Sequence, residues 1–141
     1  MDTSNASSNF GTSTQIRVDG SPVVNSYLRF TVQGLSGHLI SRVRLLIYAN
    51  SASSQGIAAR KVADNTWGET TIIANNAPAM GVTLAASPAV AAGTWITFDV
   101  TPYITVDGTF SFGLSTSGST AISLASRESG AHSPQFIVDL H

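Results

Sequence analysis

Seven residues of the chain carry a positive charge, and all but Lys61 are arginines: Arg17, Arg29, Arg42, Arg44, Arg60 and Arg127. A guanidinium offers a planar fork that meets a carboxylate at two points and can also stack on rings, which an ammonium does less well. In residues 25–37, NSYLRFTVQGLSG, one of these arginines stands in the middle of an apolar stretch. Strand geometry sends alternate side chains to opposite faces, so Leu28, Phe30 and Val32 point to a core while Tyr27, Arg29 and Thr31 point away from it. The same alternation puts Arg17, Arg42, Arg44 and Arg127 on non-core faces of predicted strands, with Tyr48 beside Arg42 and Arg44. Such a face suits something flat and extended, because a tyrosine offers a stacking surface with a hydroxyl handle. The plainer reading pairs Arg29 across strands with an acid such as Asp99 or Glu128. By their types Trp67 and Trp95 read as core or loop-packing residues rather than ligand platforms.

Catalytic patterns are not found. His38, His132 and His141 lack spaced partners for a triad or a metal site and read as surface histidines. The sequence holds no G-x-S-x-G, no H-E-x-x-H and no phosphate loop. Carboxylates such as Asp64, Glu69, Asp99 and Glu128 read as turn formers or arginine partners rather than as an acid–base pair. Asp2, Asp19 or Asp107 could help hold a structural calcium through oxygen ligands, but nothing resembles an EF-hand loop, and no other cofactor is called for.

The 141 residues are enough for one domain, residues 1–141, with a core of its own. Charged residues make up 11% of the chain at net charge -1, which leaves no excess of either sign to attract nucleic acid or anionic lipid. Without cysteine there is no disulfide, no thiolate metal site and no cysteine nucleophile. No apolar run approaches the ~18 residues a membrane helix needs, so membrane insertion is not expected. Low charge with abundant Ser, Thr, Gly and Ala favours an extracellular or cell-surface setting, as part of an exported protein.

Stepwise alternation recurs along the chain. Ile16 and Val18 alternate with Gln15, Arg17 and Asp19, and Val43, Leu45, Ile47 and Ala49 with Arg42, Arg44, Leu46 and Tyr48. Ile96, Phe98 and Val100 oppose Trp95, Thr97 and Asp99, and Phe110, Phe112 and Leu114 oppose Ser111, Gly113 and Ser115. Turn signals such as Asp19-Gly20, Asp107-Gly108 and Ser129-Gly130 separate these runs, and only residues 101–106 offer a helical turn. About ten short strands without helices predict an all-β fold, an antiparallel two-sheet sandwich of the jelly-roll kind.

Seven segments in order, SSNFG (7–11), SYLRF (26–30), VADNTWGETTI (62–72), NNAPA (75–79), GTWITFDVT (93–101), GTFSFGL (108–114) and SRESG (126–130), resemble the DNRLRE-domain family. These are β-sandwich modules of exported bacterial proteins that include an alginate-binding carbohydrate-binding module. The resemblance implies a non-catalytic module that holds an extracellular polysaccharide, acidic and alginate-like, against a parent enzyme or surface protein. The candidate carbohydrate contacts are then Tyr27, Arg29, Arg44, Tyr48, Lys61 and Arg127. This chain departs from the family pattern at Asn25, Thr31 and Ala74, where members often carry a basic residue, an Asp and an aromatic. Family members usually open with a short strand before the SNASSNFG loop (4–11), so the expectation is that this strand is missing here. A sandwich short of one strand invites a neighbouring chain or domain to supply it, so the alternative expectation is a structural or adhesive subunit joined by strand complementation.

Overall fold

A computed structural model describes residues 13, 15–20, 23–35, 37–68, 71–72 and 76–140. The strand expected to be missing from the front, the 7–11 segment and the calcium candidate Asp2 lie outside the described residues. So do Glu69, Ala74 and His141.

Among the described residues ten strands form: β1 Gln15–Gly20, β2 Val23–Val24, β3 Ser26–Val32, β4 Ile40–Ala49, β5 Ala58–Val62, β6 Thr83–Ala86, β7 Thr94–Asp99, β8 Gly108–Ser115, β9 Ile122–Ala125 and β10 Gln135–Leu140. All pairings are antiparallel. In the first sheet β1 pairs with β2 and β9, β9 meets the end of β4, and β7 pairs with β4. β10 lies beside the first half of β4, on the flank opposite β7. The second sheet runs β3, β8, β5, β6. The order 1-9-4-7 facing 3-8-5-6 is that of a jelly roll, as the turn spacing predicts.

The predicted core faces do meet. Val43, Leu45 and Ile47 of β4, Phe98 of β7, Phe112 and Leu114 of β8, and Ile122 and Leu124 of β9 are all buried. Phe136 of β10 stacks on Phe30 of β3 with centroids 5.0 Å apart, which ties the two sheets together across the interior. Tyr103, in a 3-10 turn at Thr101–Tyr103, sets its ring edge-on to Phe112.

Asp19 and Arg127 depart from the alternation. Asp19 is buried although its position reads as outward, at the point where β1 turns into β2. Arg127 is not on a strand: β9 stops at Ala125, and Arg127–His132 forms a 3-10 segment. The hydroxyl of Ser126 accepts the Glu128 N–H at its start, and Gly130 takes φ 75, a left-handed conformation that suits glycine. Both features break the extended backbone that Arg127 would need to sit on a sheet face.

Phe112 is fully enclosed and touched by rings from both sheets. Phe112→Ala should cost about 3–5 kcal/mol of unfolding free energy. Urea denaturation followed by circular dichroism measures it, and a loss under 1 kcal/mol would show that the site collapses to refill the space.

Candidate functional site

The outward face of the second sheet is where Tyr27 and Arg29 stand, and it is occupied by the chain itself. Register places Arg29 of β3 opposite Ser111 of β8, which faces Val62 of β5. The connection from β5 to β6 lies over this row. Arg29 donates from Nη1 to the carbonyl oxygens of Asn65 and Trp67, 3.0 and 2.5 Å away, and its guanidinium sits 4.8 Å from the Trp67 ring centre. Trp67 Nε1 donates to the Ser111 hydroxyl, which donates in turn to Asn65 Oδ1. Ser111 is thus fully buried yet satisfied, and Val62 is buried beside it although it lies on the outer side. Tyr27 donates its hydroxyl to the Pro78 carbonyl, and burial raises its pKa above the usual tyrosine value, against the charge of Arg60. Arg60 donates to the Gly81 carbonyl. Arg29 therefore meets neither Asp99 nor Glu128, the acids of the plainer reading; it binds main-chain carbonyls.

The outward face of the first sheet is different. Along β4, Arg42, Arg44, Leu46 and Tyr48 point outward, with Tyr48 opposite Trp95 of β7 and Arg44 opposite Asp99. His132, at the end of the 3-10 segment, lies flat on Tyr48 with centroids 3.8 Å apart and planes 3° from parallel. Trp95 stands at 72° to Tyr48 and 70° to His132. Trp95 is 37% exposed, so it packs in neither core nor loop, unlike Trp67. Arg44 pairs with Asp139 of β10 at 3.2 Å, and Arg42 lies 3.7 Å from Asp99. The sequence alternation already put Trp95 on a non-core face; His132 could not have been placed, because a loop carries it there.

This chain matches the model of carbohydrate-binding module family 96 over residues 1–139. It belongs to that family. The membership is compatible with the DNRLRE resemblance of its segments, and polysaccharide is the partner it implies. No curated protein matches the chain.

The six expected contacts of this family-96 module do not share one surface. Tyr27 and Arg29 lie under or beside the β5–β6 connection, whereas Arg44 and Tyr48 lie on the face of the other sheet. Lys61, level with Phe112 in register, is exposed and holds its ammonium 5.5 Å from the Tyr103 ring centre. Arg127 bonds Glu128 beside it. Of the calcium candidates, Asp107 accepts the N–H groups of Gly34 and Leu35 and so shapes the turn after β3. Among the described residues no three His, Asp or Glu side chains gather as a metal site.

Two outcomes follow from these contacts. Arg29→Ala should weaken the hold on the β5–β6 connection and lower unfolding free energy by about 1–2 kcal/mol, read by urea denaturation; an unchanged midpoint would mean the guanidinium bonds add nothing. Asp99 accepts both the N–H and the hydroxyl of Thr101, which together hold its carboxyl below the usual range, with smaller help from Arg42 and Arg44. A depressed carboxyl stabilises the fold above its unfolded pKa, about 3.9, and that contribution fades as pH falls through the folded value. Asp99→Asn should flatten the acid limb of thermal stability below about pH 4, and a wild-type-like slope would show that Asp99 does not drive it.

Proposed function

We propose that the chain is a non-catalytic module that attaches to an extracellular polysaccharide, acidic and alginate-like, and holds the rest of an exported enzyme or surface protein against it. The family match over residues 1–139 carries the reading. Supporting it, Arg44 and Tyr48 lie on an open sheet face, where rings and hydrogen-bonding groups can meet a long chain side-on. The carboxylates of that face, Asp99 and Asp139, are engaged by Arg42 and Arg44, which favours holding over acid–base chemistry. A single such face binds weakly, and tandem copies or an attached enzyme raise retention through effective concentration. Native affinity gels containing alginate, pectin, xylan, hydroxyethylcellulose or chitosan, run beside a polymer-free gel, test it. Retardation in alginate is expected; equal mobility in every gel would overturn the reading.

A second reading, an adhesive or filament subunit joined by strand complementation, draws on β7, which among the described residues pairs with β4 alone. Light scattering on a size-exclusion column separates the two, because a clean monomer at micromolar concentration removes the assembly reading.

A further inference from the structure

The two outward faces differ in what remains for a ligand. On the second sheet the Tyr27 hydroxyl, Arg29 Nη1 and Arg60 Nε are turned to carbonyls of the β5–β6 connection. On the first sheet Tyr48, His132 and Trp95 form a group of rings with two plane directions about 70° apart, and both His132 and Trp95 are exposed. Tyr48 is half-buried beneath His132, so the surfaces offered outward are those of His132 and Trp95. An exposed aromatic group on a sheet face, rimmed by polar side chains, is the pattern of an interaction site rather than of a core.

The chemistry around the rings narrows the occupant. A pyranose ring has an apolar C–H face and a rim of hydroxyls. The C–H face gains by lying on an aromatic ring, and the hydroxyls both donate and accept. Four residues from Tyr48 along β4, roughly 13–14 Å at strand rise, stands Arg44 with Asp139. This pair offers donors and acceptors side by side. Arg42 and Asp99 repeat the arrangement beside it. With each of these guanidiniums matched by a carboxylate, the face meets a sugar chain, acidic ones included, through its hydroxyls rather than its carboxylates. A pair of opposite charges is suited instead to adjacent hydroxyls, one accepting from the arginine and the other donating to the aspartate.

We propose that the outward face of the first sheet is the polysaccharide-binding site, with a pyranose ring seated on Trp95 and His132 above Tyr48 and the next sugar units running along β4 to hydrogen-bond Arg44 and Asp139 through their hydroxyls. This rests on the polysaccharide reading above and adds its place and its mode: stacking and hydroxyl bonding, with carboxylate–guanidinium pairing not required. Retention by this face is therefore insensitive to salt, because ring stacking and short hydrogen bonds are not screened as separated charges are.

The test uses the whole chain in gels containing alginate, pectin, xylan or hydroxyethylcellulose, with wild type, Trp95→Ala, Trp95→Phe, His132→Ala, and Leu39→Ser as a surface control. Leu39 is 73% exposed and precedes β4, at the opposite end of that strand from Tyr48. In whichever polymer slows the wild type, Trp95→Ala and His132→Ala should each weaken retention about tenfold, the loss typical of removing a central aromatic contact. Trp95→Phe should recover part of it, and Leu39→Ser should match wild type. Thermal melts by circular dichroism should show every variant folded, because Trp95, His132 and Leu39 lie outside the core. Raising sodium chloride to ~0.5 M should leave wild-type retention within a factor of two. Wild-type retention that persists undiminished in both Trp95→Ala and His132→Ala overturns the site while leaving the polysaccharide reading intact. Retention that collapses in salt overturns the stacking mode. A wild type that no polymer slows overturns the polysaccharide reading and this inference with it.

Discussion

The guanidinium of Arg29, turned to the carbonyls of Asn65 and Trp67, decides which side of this sandwich is open. A sheet has two faces, and in a two-layer fold each sheet has only one face committed to the core. Arg29, with Ser111, Tyr27 and Arg60, draws the β5–β6 connection across the outer face of the second sheet. Val62 and Ser111 are then buried beneath the half-buried indole of Trp67, with the Ser111 hydroxyl satisfied. The first sheet has no equivalent cover among the described residues, and its aromatic and charged side chains meet solvent.

That division explains how far the sequence could be read. Alternation is a local property, so Leu28, Phe30, Val43, Leu45, Phe98 and Phe112 announced their faces, and turn residues every few positions announced the sandwich. The outward position of Arg29 was equally legible. Its partners were not, since they are main-chain atoms 36 and 38 residues away that no side-chain pairing rule can reveal. Trp67 and Trp95 illustrate the same limit from two sides. Both are single tryptophans near polar residues, and only the path of the backbone makes one a lining for the β5–β6 connection and the other a ring on an open face. His132 reached Tyr48 because β9 ends at Ala125, Ser126 caps the segment that follows and the chain turns at Gly130, a boundary set by capping rather than by hydrophobic pattern.

Family membership and physical structure answer different questions here. Membership of carbohydrate-binding module family 96 supplies the class of partner. The arrangement of side chains supplies a place for it, and the place is not where the arginine that first attracts the eye is found. Cations on a sheet are easily taken for ligand contacts, yet a guanidinium whose donors already point at carbonyls has less to offer a ligand than an aromatic ring with a bare face.

The β5–β6 connection is held by donors from Tyr27, Arg29 and Arg60 that end on the carbonyls of Asn65, Trp67, Pro78 and Gly81. A carbonyl is present whatever side chain the residue bears. These anchors recognise the route of the loop rather than its spelling, so the segment can change composition at Pro78 and still be fastened in the same track, whereas at Gly81 a Cβ would crowd the Lys61 carbonyl at 3.2 Å. Away from Asn65 and Trp67, whose side chains bond Ser111, a loop tethered in this way is a part of the surface that can be rewritten, for charge or for solubility, without loosening the sandwich beneath it.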